Sequence, residues 1–210
     1  MGRKTKIKIC GAKTPQAAFA AQEAGADFIG VIFADSARRV DVDAARRIRE
    51  AAGSVLLVGV FKDQPLAFVL SALERCGLDA VQLHGSEPPE WLDEISLPVF
   101  RSVAVRADGK FSFPLDRWRK ARAFVFDRAR ADGASGGAGT PFCWRGLELG
   151  TLAAKAVVAG GLTPGNVGEA IKALRPCAVD VAGGVEINGE KSPALIQEFI
   201  KKAREADSDA

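Results

Sequence analysis

The chain has 210 residues, 48% of them hydrophobic and 26% charged, with a formal net charge of +3. That length accommodates one α/β barrel and is short for two ordinary domains, and the composition is that of a soluble globular protein. So small a charge supports a mild attraction for anionic metabolites but no nucleic-acid or membrane surface, and no apolar stretch approaches the roughly 18 residues of a membrane span.

Met1-Gly2-Arg3-Lys4-Thr5-Lys6 carries charge without the apolar run of a signal peptide behind it. The first predicted strand, 6–10, ends in Lys8-Ile9-Cys10-Gly11. Thr14-Pro15 then opens a helix with an N-cap and a proline at the first helical position. Its apolar positions Ala18, Ala21 and Ala24 precede Gly25 as the C-cap. Strand 28–33 is an uninterrupted apolar run, the pattern of a strand buried on both faces in a parallel sheet. Asp35-Ser36-Ala37-Arg38-Arg39 follows as a loop, and Arg46, Arg47 and Arg49 read as the solvated face of a helix.

Further strands are predicted at 55–61, 80–84, 99–105, 123–127, 156–160 and 178–182, with helical patterns between them. The fourth ends in Gln82-Leu83-His84-Gly85 and the sixth in Phe126-Asp127. The Gly-, Ala- and Ser-rich stretch Arg128–Pro141 that follows is expected to be a mobile cover beside Asp127. Ala159-Gly160-Gly161 closes the seventh strand and Asp180-Val181-Ala182-Gly183-Gly184 the eighth. Thr163-Pro164 and Ser192-Pro193 repeat the opening design before helices at 165–174 and 194–205, and the tail from Ala206 to Ala210 is expected to be disordered. Eight units of about 26 residues predict a single (β/α)8 TIM barrel over 1–210. An open doubly wound sheet is the alternative, but no G-x-G-x-x-G follows the first strand.

In a barrel the reactive face is the C-terminal rim of the strands, where these segments all fall. An enzyme acting on a phosphorylated small molecule is therefore expected. Cys10 can act as nucleophile or base once it is a thiolate, which requires the site to lower a pKa ordinarily near 8.5. Cys76, Cys143 and Cys177 read as packing residues; the four thiols show no C-x-x-C or metal-ligand spacing and suit a reduced, cytoplasmic protein. Asp127, directly after four apolar residues, is partly desolvated and so pushed toward general-acid use. Asp180, an inward charge within a strand, is either a substrate ligand or a structural acceptor. His84, the single histidine, either touches substrate or is structural; no clustered ligands suggest a metal. Arg38 can grip a substrate carboxylate, and the pairs Gly160-Gly161 and Gly183-Gly184, after strands seven and eight, can bring backbone N–H groups onto a phosphate.

Taken together, these segments resemble the phosphoribosylanthranilate isomerases of tryptophan biosynthesis, from Lys8 to Phe199. Lys8-Ile9-Cys10-Gly11 and Gln82-Leu83-His84-Gly85 carry the resemblance most strongly. Gly136-Gly137-Ala138-Gly139, Ala159-Gly160-Gly161-Leu162-Thr163-Pro164 with Asn166-Val167, Val179-Asp180-Val181 and Gly184-Val185-Glu186 support it. The resemblance implies a (β/α)8 barrel that performs an Amadori rearrangement of a phosphoribosyl substrate without metal or organic cofactor, as a monomer or homodimer. It implies that Cys10 is the general base, Asp127 the general acid, Arg38 the ligand of the anthranilate carboxylate and the glycine segments the phosphate site. The chain departs from the family pattern at Ala37, where proline is usual, at Cys143, where aspartate is usual, and at Ala182-Gly183, where serines are usual. The sister isomerase of histidine biosynthesis has an aspartate where this chain has Cys10, and a ribulose-phosphate epimerase would want more histidines. A barrel retained only as a partner subunit would not need Cys10 and Asp127.

Overall fold

The computed structural model describes residues 4–128 and 144–208. The expected loop cover beyond Arg128 and the position of Cys143 lie outside the described residues. Eight parallel strands close into a barrel in sequence order: β1 (Lys6–Cys10), β2 (Phe28–Ile32), β3 (Leu56–Phe61), β4 (Ala80–Leu83), β5 (Val99–Val105), β6 (Ala123–Arg128), β7 (Ala156–Val158) and β8 (Ala178–Val181). β8 returns to pair with β1, with Lys8 opposite Asp180, so closure itself juxtaposes two charged residues.

The connecting helices are α1 (Pro15–Glu23), α2 (Val42–Ala51), α3 (Leu66–Cys76), the short α4 (Trp91–Glu94), α5 (Val167–Leu174) and α6 (Pro193–Ser208). Thr14 caps α1 as expected, its hydroxyl accepting from Ala17 N. The second threonine–proline pair behaves differently. α5 starts only at Val167, and Thr163 N instead donates to Asn166 Oδ1 at 2.8 Å in a closed turn. Between β5 and β6 the crossover contains the 3₁₀ turn Leu115–Trp118 rather than an α-helix, since Asp108-Gly109 and Pro114 interrupt any helical run. Arg49 is more than a solvated residue, because it donates to Asp79 and to the carbonyls of Gly53 and Val55.

The tail also differs from expectation. Helix α6 continues through Ala206 and Asp207 to Ser208 because Ala206 is buried and the Asp207 carboxylate accepts from Thr5 N and Oγ1. Two apolar layers hold the barrel together. Phe28, Val58, Phe100, Val125 and Val157 fill the interior, while Ile7, Ile9, Val81, Leu83 and Phe126 pack outward against the helices. Glu186–Ile187 (β9) and Glu190–Lys191 (β10) form a small antiparallel pair after β8.

Candidate active site

Successive strand residues face opposite sides of the sheet. Ile7 and Ile9 belong to the outer layer, so Lys8 and Cys10 point into the barrel. By the same alternation Gln82, His84, Ser102, Asp127 and Asp180 face inward, each flanked by residues of the outer layer. The sequence-predicted Cys10, His84, Asp127 and Asp180 therefore share one cavity mouth.

Lys8 sits deepest. It is fully buried, and its Nζ donates to Asp180 Oδ2 at 3.0 Å. The other oxygen, Asp180 Oδ1, is buried with no hydrogen-bond partner among the described residues. Cys10 lies one pleat above Lys8 at 7% exposure. Gly30 of β2, its register partner, leaves the necessary space: a Cβ there would lie 2.7 Å from Cys10 Sγ and 3.1 Å from Lys8 Nζ. Burial pushes the Cys10 thiol up, the Lys8 ammonium draws it down, and burial prevails. The expected lowering of this pKa is thus not present in the free protein, because desolvation outweighs the cation.

Asp127 shows the shift expected of it. Burial, then repulsion from Asp180, raises its carboxyl to about 6, against the opposing pull of the Arg128 N–H and Lys8. Its Oδ1 accepts from Arg128 N at 2.8 Å, and its Oδ2 lies 3.8 Å from His84 Nε2. Gln82 Nε2 donates toward His84 Nδ1 at 3.0 Å, which leaves the ring proton on Nε2, facing Asp127. Burial, with Lys8, Lys62 and Arg101 nearby, lowers His84 to about 4, so the ring is neutral at physiological pH. A buried ion pair anchors the loop that carries it. Arg101 donates to Glu87 at 2.7 Å and to the Gly85 carbonyl at 2.6 Å, and Glu87 accepts from Gly85 N and Asp63 N.

Arg38 lies across Gly11, whose φ of +78° suits glycine and where a Cβ would meet the arginine side chain at 2.5 Å. Its Nε and Nη2 form a fork with Glu186, both at 2.7 Å. Lys191 Nζ donates to the same carboxylate at 2.6 Å and to the Ala182 carbonyl. Burial alone would raise Glu186, but these two cations hold it at about 2. Arg39 is exposed.

The two glycine segments meet. Gly160 and Gly161 have φ of +78° and +76°, and Asn166 Nδ2 donates to the Gly161 carbonyl. Gly183–Val185 form a 3₁₀ turn, and a Cβ on Gly184 would lie only 1.8 Å from the Leu162 carbonyl oxygen. No long helix begins directly after either segment: α5 starts at Val167, and β9 follows the 3₁₀ turn. Any anion site here is built from turn N–H groups.

Sequence reasoning assigned no role to Lys8, Glu186 or Lys191. The argument that marked Asp180, a charge within a buried strand, applies equally to Lys8 between Ile7 and Ile9 and would have found it. Glu186 and Lys191 gave no such signal, because they belong to strands two residues long.

Residues 7–202 match the family model described as N-(5'-phosphoribosyl)anthranilate (PRA) isomerase. The chain is 44% identical over 203 residues to the N-(5'-phosphoribosyl)anthranilate isomerase of Syntrophomonas wolfei, an alignment covering 96% of this chain and 98% of that one. Among solved structures it is similar to phosphoribosyl anthranilate isomerase from Thermotoga maritima, with a TM-score of 0.82, 33% identity and coverage of 96% and 99% of the two chains. It is also similar to a phosphoribosyl anthranilate isomerase in complex with reduced 1-(o-carboxyphenylamino)-1-deoxyribulose 5-phosphate, with a TM-score of 0.74, 32% identity and coverage of 96% and 99%.

Proposed function

The chain belongs to the N-(5'-phosphoribosyl)anthranilate isomerase family, and from that premise we propose which of its residues perform the reaction. The substrate is N-(5-phosphoribosyl)anthranilate and the product 1-(2-carboxyphenylamino)-1-deoxy-D-ribulose 5-phosphate. The observation that carries the assignment is a buried carboxyl raised to about 6 sharing the barrel mouth with a buried thiol.

Asp127 protonates the furanose ring oxygen as the C1–O bond breaks, and the nitrogen lone pair forms an iminium ion. That cation acidifies the proton on C2, which the Cys10 thiolate removes. The resulting enolamine tautomerises to the ketone. One acid and one base suffice for these proton transfers. Neutral His84, with its Nε2 proton toward Asp127, accompanies the acid without competing for its proton.

The remaining residues bind. Glu186 takes Nε and Nη2 of Arg38, and Nη1 is directed to the anthranilate carboxylate. Asp180 Oδ1, buried without a partner among the described residues, accepts from a sugar hydroxyl. The turns at Gly160-Gly161 and Gly183-Gly184 hold the phosphate by backbone N–H groups, in the position barrels commonly use. Every one of these groups comes from a single chain, so monomer and homodimer serve this reading equally. A cytoplasmic location accords with the free thiols of Cys10 and Cys76.

The test is loss of substrate fluorescence on mixing purified protein with freshly made N-(5-phosphoribosyl)anthranilate in EDTA. Turnover is expected, and Cys10→Ser and Asp127→Asn are each expected to lower kcat by about 10²–10⁴-fold. Near-normal rates in either folded variant would remove that residue from its role.

A further inference from the structure

We infer that Lys8 is a positioning residue for the reaction, its buried ammonium stabilising the Cys10 thiolate and so governing how much base the enzyme holds. The inference rests on the reading of Cys10 as the base. Four observations carry it. Lys8 lies two residues before Cys10 on the same inward face, directly beneath the thiol. Both functional atoms close on one space, which only the absence of a side chain at Gly30 leaves open. The ammonium is fully buried and fixed by Asp180 across the β1–β8 closure, so it cannot swing out to water. Finally, packing does not require a charge at this level. Replacing a buried ion pair by apolar residues is often neutral or stabilising, and the barrel interior that Lys8 shares is filled by apolar residues, among them Phe28, Val58, Phe100 and Val125.

Other charges also face the sulfur. Asp180 comes from β8, Lys191 from β10, and Arg38 from the loop after β2, with Glu186 lying between the last two cations. Lys191 and Arg38 share one carboxylate that neutralises part of their field. Of the two cations acting most directly on the thiol, Lys8 is the nearer in effect and favours the ionised form more than Lys191 does. When Cys10 loses its proton, the thiolate–ammonium–carboxylate row of Cys10, Lys8 and Asp180 carries one net negative charge instead of the two that a neutral residue at 8 would leave.

Iodoacetamide alkylates the thiolate, so its rate against pH reports Cys10 ionisation in the free protein. Mass analysis of the Cys10 peptide keeps Cys76, Cys143 and Cys177 out of the reading. Lys8→Met is expected to move the midpoint up by about one pH unit or more, a tenfold slower alkylation at pH 7. Lys8→Met/Asp180→Asn, which leaves no stranded carboxylate and so folds even where the single variant does not, is expected to show a smaller rise. The turnover deficit of Lys8→Met relative to wild type should close toward high pH, as the basic limb of the variant moves up. An unmoved midpoint in a folded variant, with turnover lowered equally at every pH, would make Lys8 structural and overturn the inference. Because alkylation needs no substrate, failure of the isomerase reading would show separately, as a wild-type protein without turnover.

Discussion

Asp127 and Cys10 are both shifted upward by burial, and at neutral pH the proton still stays on sulfur rather than on the carboxyl. With the acid near 6 and the thiol above its ordinary value, the dominant form with one proton holds it on sulfur, while the productive form holds it on the carboxyl. The pH profile of kcat/KM is accordingly expected to be a bell whose acidic limb, near pH 6, belongs to the general acid and whose basic limb belongs to the thiol; steady-state rates across pH check this. The same carboxyl weakens the fold. Its pKa is higher folded than unfolded, so its favourable contribution is complete below the unfolded value near 3.8 and is lost as pH rises through about 6. Asp127→Asn should therefore be more stable than wild type at neutral pH, by on the order of 2 kcal/mol, with the gain vanishing in acid; urea unfolding at the two pH values measures it.

The elements that position these residues differ in how tightly they are specified. Gly184 sits against the Leu162 carbonyl with no room for a methyl group, whereas a Cβ on Gly183 would find its nearest neighbour, Arg38 Nη2, at 3.4 Å. Gly184→Ala is expected to force the β7 and β8 loops apart, lowering stability by about 1–3 kcal/mol and raising KM. Gly183→Ser, by contrast, should fold normally and alter product affinity by less than about tenfold; titration of product into both variants decides. Element by element, what could be read beforehand follows from burial. The strands were legible to within two residues because continuous apolar runs such as Phe28–Ile32 are buried on both faces. Cys10, His84, Asp127 and Asp180 were legible as a set because alternation fixes which face they take. The Thr163-Pro164 opening was misleading, since local capping signals cannot reveal that Asn166 will satisfy Thr163 N itself. The Glu186 fork was hidden for a similar reason: Arg38 and its partner are 148 residues apart and meet only through closure.

At the scale of the whole molecule, the two ends of the chain seal the barrel. Arg204 of α6 donates to the Thr5 and Gly25 carbonyls and to Asp27, whose carboxylate also accepts from Ile7 N. Asp207 receives both Thr5 N and its hydroxyl. Removing residues 204–210 is expected to cost on the order of 2–4 kcal/mol through these lost charge-assisted bonds, lowering the thermal midpoint well before the last few residues of a typical tail would matter; calorimetry of the shortened chain tests this.

The Lys8–Asp180 contact spans 172 positions of sequence, and that separation orders events on the ribosome. β1 is the first strand to emerge and waits with one edge unpaired until its partner is made. A nascent chain holding Cys10, Asp127 and His84 still lacks the carboxylate that keeps Lys8 charged in the interior. The thiol's environment is therefore completed only when synthesis is nearly over, and a chain arrested before β8 carries every reacting group without the electrostatics that would make them work.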